Sequence, residues 1–227
     1  LNCYGKQLSC PKRLPRFMSG IEARLNATNP ALKPHAGGIL RYWTVPHENE
    51  HRDDQGIGIT NPDTSMLQPY NLAGAYDSNV ALSISSGDSR KDSFEKLAEV
   101  LRCMKFRGLD LNLNVDFQYG LLNWMLGNDP MLKPNTRFVS SYLAIAGKLK
   151  KLCDLINLDV AWNIHREKNK SDFGPEGLKI FDQKLTLILR PLKILLDRPH
   201  LLMGWLALLK EKTEESRLSN KRNPINT

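Results

Sequence analysis

The sequence predicts an α+β fold, in which helices pack on an antiparallel sheet and an all-helical segment follows. Three segments, residues 20–27, 37–45 and 79–85, have the composition and alternation of β-strands. Farther along, apolar residues recur at helical spacing, and from about residue 146 the pattern is helical only. We therefore expect an α+β domain over residues 1–145 and a helical segment over residues 146–227, which lies between domains or docks a partner.

The first predicted strand has the clearest pattern. Ile21, Ala23 and Leu25 alternate with polar residues, as in a strand with one face buried. Between the second and third strands, residues 46–75 are rich in Pro, Gly, Asp and Asn. This composition predicts a long loop region that holds at most short strands.

Two amphipathic helices complete the predicted α+β domain. Asp88 or Ser89 is the expected N-cap of the first helix, and Gly108 is expected to end it. An extended piece at residues 109–114 follows, and the second helix starts near Asp116 and closes at the sequence GNDP. The apolar faces comprise Phe94, Leu97, Val100, Leu101 and Met104 in the first helix and Phe117, Leu121, Trp124 and Met125 in the second.

The helical segment contains three apolar stripes. We expect residues 171–177 to link two helices and residues 198–200 to break the chain before the last stripe. Such stripes pack against one another as a helical hairpin or dock a partner domain, and the polar tail after Glu214 is expected to fray. The stripes are Leu149, Leu152, Ile156 and Val160; Leu178, Phe181, Leu185, Ile188, Leu192 and Leu196; and Leu201, Trp205 and Leu208.

Composition and charge argue against two classes of partner. The 227 residues are 41% hydrophobic with a net charge of +8, as in a globular protein with a basic surface. The basic clusters at residues 148–152 and 219–223 lack interleaved aromatic residues, so we expect a solvated surface and no nucleic-acid partner. The longest apolar run, residues 201–209, is far shorter than the about 20 residues of a membrane-spanning helix. We therefore expect no membrane partner and no signal peptide.

The four cysteines form no C-x-x-C pair. Cys103 and Cys153 fall within helical patterns, so we expect both to be reduced thiols. This interpretation favours a reducing compartment, such as the cytoplasm or the mitochondrial matrix.

One motif raises the alternative of a zinc enzyme. His47, Glu48 and His51 match H-E-x-x-H, in which two histidines on one helical face hold Zn²⁺ and the glutamate activates its water. Residues 46–56 contain no large apolar side chain, so a helix there would have no face to bury. We expect a solvated, charge-rich loop and no metal site, because the other histidines stand in no ligand spacing: His35, His165 and His200.

Four stretches, in order and at compatible spacing, resemble the C-terminal subdomain of biotin carboxylase over residues 19–144. The family pattern H-A-x-E-x-R-I-N-A-E-D-P, followed by P-S-P-G-x-I, is similar to SGIEARLNATNP followed by KPHAGGILRYW. The family's Y-D-S-M-I-x-K-L-I segment resembles YDSNVALSISSGDSRKDSF. The helix after it leads to FRGLDLNLNVDFQYGLL, which resembles the family's I-x-G-I-x-T-N-V-x-L. The last stretch, NTRFVSSYLA, resembles the family's closing T-x-F-L/T-N-I-H-Y-L.

The resemblance implies a site and its partners. Arg24 matches the arginine that steadies the ureido oxygen of biotin at the carboxylation centre, and Phe138 falls near an apolar contact to the adenine of ATP. From the residues alone, Arg24 could equally be an arginine on the solvent side of a strand, and Phe138 could be a core residue. Implied cofactors are biotin on a carrier domain and, in the complete enzyme, ATP and Mg²⁺. Implied partners are the biotin carboxyl carrier domain, the ATP-grasp half, carboxyltransferase domains and, as a homodimer, a second copy.

Departures from the family pattern limit this expectation. Thr28 and Asn29 replace an acidic pair, an apolar residue replaces the lysine after Y-D-S, and two residues are inserted between Gly108 and Asn114, which matches the family's T-N asparagine. The ATP-grasp segments, which precede the R-I-N motif in the family, have no counterpart in this sequence. We expect part of a biotin carboxylase component that does not hydrolyse ATP alone; the alternative is a non-catalytic scaffold or partner-docking module.

Overall fold

The computed structural model describes most of the chain after residue 17. The described residues are 18–29, 31–34, 37–43, 51–55, 61, 63–66, 68–72 and 78–222, without the side chains of residues 51–55, 186 and 216–222. His47 and Glu48 of the H-E-x-x-H motif lie outside this part, and His51 is described only as backbone.

The chain has the predicted α+β fold, with its strands divided between two antiparallel sheets instead of one. The first sheet has the order β1-β5-β3 and the second the order β4-β2-β6. The strands are β1 (Ser19–Asn26), β2 (Ile39–Trp43), β3 (His51–Gln55), β4 (Tyr70–Asn71), β5 (Asn79–Gly87) and β6 (Phe106–Leu109). Both strands found within residues 46–75 are short, as the composition predicts.

Strand β1 pairs with β5 along its whole length. Ala23 and Leu25 are buried, while Glu22 and Arg24, which alternate with them, are exposed, so the predicted alternation is confirmed. Arg24 stands opposite Leu82 of β5, and β3 pairs with the other edge of β5.

Helix α1 (Arg90–Cys103) covers the first sheet. Ser89 is its N-cap, since its side chain accepts a hydrogen bond from the backbone N–H of Asp92. The helix ends earlier than expected, because Met104 is extended and Gly108 lies in β6. Gly108 serves close strand pairing instead, since a Cβ there would lie 2.1 Å from the carbonyl oxygen of Ile39 on β2. The predicted extended piece at residues 109–114 is accordingly shifted toward the N-terminus.

Helix α2 (Val115–Asn128) joins the same core. Leu122, Met125 and Leu126 pack with the buried residues of β1, β5 and α1 in one apolar cluster. Helix α3 (Phe138–Cys153) follows and runs without interruption through residues 145 and 146.

The prediction that the first apolar stripe, from Leu149 to Val160, lies on one helix is wrong. A turn ends α3, and Asn157 caps a new helix, α4 (Leu158–Lys168), by accepting hydrogen bonds from two backbone N–H groups. Leu152, Ile156 and Val160 are therefore exposed instead of sharing a buried face.

Helix α5 (Lys170–Asp197) consists of two helices that meet at a kink at Gly174, where φ is 61° and ψ is 178°. The kink lies within residues 171–177, where a link between two helices is predicted, and it takes the place of a longer loop. Arg198 ends α5, and α6 (Pro199–Arg222) starts at the predicted break. The tail after Glu214 is helical as far as Arg222.

Helix α6 packs mainly on α2, so it contacts the α+β part more than it contacts α5. Three glycines allow the close approach: a Cβ at Gly120 or Gly127 would lie under 3 Å from α6 backbone, and one at Gly204 would meet the carbonyl oxygen of Gly120 at 2.8 Å. Small residues on facing turns let two helix backbones come near each other. None of the described helices is long and apolar enough to cross a membrane.

Candidate functional site

Arg24 projects from an exposed position near the end of β1. Its neighbours Ala23 and Leu25 point into the core and fix which face of the strand Arg24 occupies. Residues at the start of α2 hold the backbone of Arg24. Its carbonyl oxygen accepts hydrogen bonds from Asn114 Nδ2 at 3.1 Å and Gln118 Nε2 at 3.2 Å.

Asn114 ties the start of α2 to β1. Its Oδ1 accepts a hydrogen bond from the backbone N–H of Asn26 at 2.9 Å, and its own N–H donates to the carbonyl oxygen of Asn26 at 3.1 Å. With the bond to Arg24, this buried amide uses both its donor and its acceptor on one strand. The position of Arg24 therefore depends on a residue far away in sequence.

A cavity of about 590 Å³ opens beside this junction. Thr28 and Asn29, which stand where the related motif has acidic residues, line it after the end of β1. The Asn29 side chain is engaged in a turn, since its Oδ1 accepts from the N–H groups of Ala31 and Lys33. The remaining walls come from the start of α2, from α3 and from the junction of α5 and α6.

Two ion pairs stand in the cavity wall. Asp116 at the start of α2 lies 3.4 Å from Arg198, and Lys150 of α3 lies 3.7 Å from Asp197 while also contacting Asp154. Both pairs join the α5–α6 junction to the earlier helices. Their side chains are largely exposed to solvent, so each pair contributes little stability.

An aromatic cluster adjoins the cavity, and two of its members, Phe117 and His200, line it. The His200 ring stacks on the Tyr142 ring, with centroids 5.7 Å apart, and meets the Phe117 ring edge-on, with centroids 5.4 Å apart. Burial lowers the pKa of His200, although the nearby Asp116 carboxylate acts in the opposite direction. Burial also raises the pKa of Tyr142. His200 Nδ1 and the Tyr142 hydroxyl are buried without hydrogen-bond partners among the described residues.

Phe138 belongs to the same cluster. Its ring centroid lies 5.5 Å from that of Trp124 and 6.3 Å from that of Tyr142, and the side chain is only half-buried. The structure therefore gives Phe138 packing partners and leaves part of its surface accessible. Neither Phe138 nor Arg24 lines the cavity described above.

Sequence reasoning identified Arg24 and Phe138 but gave no role to Asp116, Lys150, Arg198 or His200. These four come from three separate helical segments, and nothing in their spacing marks them as neighbours. The only local signal was the chain break at residues 198–200, which we interpreted as a helix end. Among the described residues, no group of three or more His, Cys, Asp or Glu side chains could hold a metal ion.

Comparison with known proteins gives matches by structure alone. No family model matches the chain, and no curated protein matches it by sequence. The biotin carboxylase domain of Hydrogenobacter thermophilus 2-oxoglutarate carboxylase is similar over 54% of this chain and 24% of its own, with 18% identity and a TM-score of 0.44. The biotin carboxylase subunit of a pyruvate carboxylase matches 56% of this chain and 25% of its own, with 15% identity and a TM-score of 0.43.

Biotin carboxylase from Campylobacter jejuni is similar over 54% of this chain and 22% of its own, with 17% identity and a TM-score of 0.38. The chain thus spans about a quarter of the length of each of these solved structures.

Proposed function

We propose that this chain is part of the biotin carboxylase component of a biotin-dependent carboxylase. One observation carries the proposal: two of the resembling stretches, far apart in sequence, meet at Arg24. The first contributes Arg24 and Asn26, and the second contributes Asn114, which hydrogen-bonds to the backbone of both. A third stretch supplies β5, which pairs with β1 along the whole strand.

Arg24 would act at the carboxylation centre. Biotin, presented on a carrier domain, supplies a ureido nitrogen as the acceptor of the carboxyl group. Negative charge builds on the ureido oxygen when that nitrogen loses its proton, and a guanidinium can donate two hydrogen bonds to such an oxygen. The exposed position of Arg24, with its backbone fixed by Asn114 and Gln118, supports this role.

ATP and Mg²⁺ would be held by the ATP-grasp half, because this sequence contains no phosphate-binding glycine loop. Phe138 would contribute an apolar contact to adenine through the exposed part of its ring. The α+β domain over residues 1–145 would then form one wall of the site, and residues 146–227 would lead toward further domains. The carrier and carboxyltransferase domains, and a second copy in a homodimer, are the corresponding partners in the cytoplasm or the mitochondrial matrix.

The mass of the natural polypeptide tests this proposal. An immunoblot of the native source with an antibody to this chain should show a band far above 25.8 kDa, the mass of the 227 residues. The purified polypeptide should then transfer labelled bicarbonate to free biotin only when ATP and Mg²⁺ are present.

A band at 25.8 kDa, with no biotin carboxylation after addition of a separate ATP-grasp half, would contradict the proposal. The rival function, a non-catalytic scaffold, would then account better for the chain.

A further inference from the structure

Helix α5 exposes an apolar stripe on the side facing solvent. Ile180, Leu187 and Ile194 recur at every seventh position, which returns to nearly the same side of a helix after two turns. Their side chains are 51%, 75% and 45% exposed. We call these three residues the outer stripe of α5.

The opposite side of α5 already has its partners. Leu189 is buried, and Phe181 stacks on Trp162 of α4 with ring centroids 4.1 Å apart. Arg166 of α4 donates hydrogen bonds to both carboxylate oxygens of Asp182. A helix that is apolar on two opposite sides is typical of a helix buried from both sides. Among the described residues, the inner side of α5 is covered and the outer stripe is not.

The charges beside the outer stripe are basic. Lys184 and Arg190 are exposed near the stripe, at the helical positions that flank it. Along the length of the outer stripe the sequence contains one acidic residue, Asp182, which pairs with Arg166 on the inner side, and Glu176 lies one turn before the stripe. The outer side of this part of α5 therefore has apolar residues flanked by cations.

We propose that the outer stripe of α5 binds an amphipathic helix of another polypeptide whose apolar seam is flanked by Asp or Glu. The seven-residue spacing suits two helices crossing at about 20°, as in a coiled coil. Acidic flanks would meet Lys184 and Arg190, whereas a second copy of this chain would place the same cations against each other. This inference does not depend on the carboxylase function.

Two synthetic helical peptides provide the test. Both carry Leu and Ile in a heptad seam, and they differ only in having Glu or Lys at the flanking positions. Fluorescence anisotropy with the full 227-residue chain should show saturable binding of the Glu peptide and at least about tenfold weaker binding of the Lys peptide. The Leu187→Asp variant should lose the binding, and the K184E/R190E variant should reverse the preference.

A matched control is Leu155→Asp, since Leu155 is 81% exposed but lies outside α5. It should bind the Glu peptide as the unmodified chain does, and circular dichroism should show all variants to be folded. Equal binding of both peptides, or binding that survives Leu187→Asp, would overturn the proposal. Self-association in sedimentation that Leu187→Asp abolishes would also overturn it, because the occupant would then be a second copy.

Discussion

A Cβ atom at Gly120 would lie 2.2 Å from the carbonyl oxygen of His200. This relationship fixes the distance between α2 and α6 at the point where α6 begins. Because His200 also stacks on Tyr142, the same contact places the imidazole ring in the aromatic cluster beside the cavity. The geometry of the candidate site therefore depends on a residue that has no side chain.

Replacing Gly120 by alanine should separate α2 from α6. We expect the Gly120→Ala variant to lose about 1–3 kcal/mol of unfolding free energy, since the added methyl meets backbone that cannot rotate away. Urea denaturation measures the loss. The matched control is Gly147→Ala in α3, where nothing lies within 4 Å of the added Cβ. That variant should gain about 0.5–1 kcal/mol from higher helix propensity, and equal effects of the two changes would contradict the packing argument.

Removing the amide of Asn114 should loosen the junction of β1 and α2. The Asn114→Ala variant leaves the N–H of Asn26 and the carbonyl of Arg24 without this partner, so we expect a loss of about 1–3 kcal/mol. Asn128→Ala, at the exposed end of the same helix, should change stability by less than about 0.5 kcal/mol. Unfolding curves in urea that coincide for the two variants would show that the Asn114 bridge contributes nothing.

His200 should make stability depend on pH near neutrality. Burial lowers the pKa of the folded-state imidazole below its ordinary 6.5, so below that pH the unfolded chain binds more protons than the folded chain. The contribution is therefore fully present above about pH 6.5 and declines as the pH falls toward the folded-state pKa. Asp116 opposes this shift, and Arg198 and Lys150 lie in the same cavity wall.

The measurement compares the chain with its His200→Gln variant, by urea unfolding between pH 7.5 and pH 5.5. The unmodified chain should lose more stability over this interval than the variant does. Parallel pH dependences in the two proteins would rule out a neutral, buried His200.

Arg24 should be needed for carboxylation in the complete polypeptide. If Arg24 stabilises charge on the ureido oxygen, Arg24→Ala should lower kcat for ATP-dependent biotin carboxylation by about 100-fold. Arg41→Ala, another exposed strand arginine, should leave kcat unchanged, and circular dichroism should be the same for both variants. Carboxylation kinetics unaffected by Arg24→Ala would remove this residue from the mechanism.

The sequence predicted the features that depend on local periodicity and capping. The alternation of β1 and the break before α6 were identified correctly, and Ser89, one of two N-cap candidates, caps α1. The end of α1 was misplaced, because a glycine normally suggests a helix end, while Gly108 is needed for close approach to β2. The stripe from Leu149 to Val160 was read as one helix, because local spacing did not reveal the cap at Asn157.

By itself, therefore, the sequence determined the α+β class, the alternation that sets which side of β1 carries Arg24, and the cap and break signals at Ser89 and residues 198–200. Only the tertiary structure decided that Asn114 holds the backbone of Arg24, that α6 packs on α2, and that Asp116, Lys150, Arg198 and His200 line one cavity. The physical reason is that periodicity specifies an apolar face but not the element that covers it. That choice depends on close contacts between distant residues, such as Gly120 and His200.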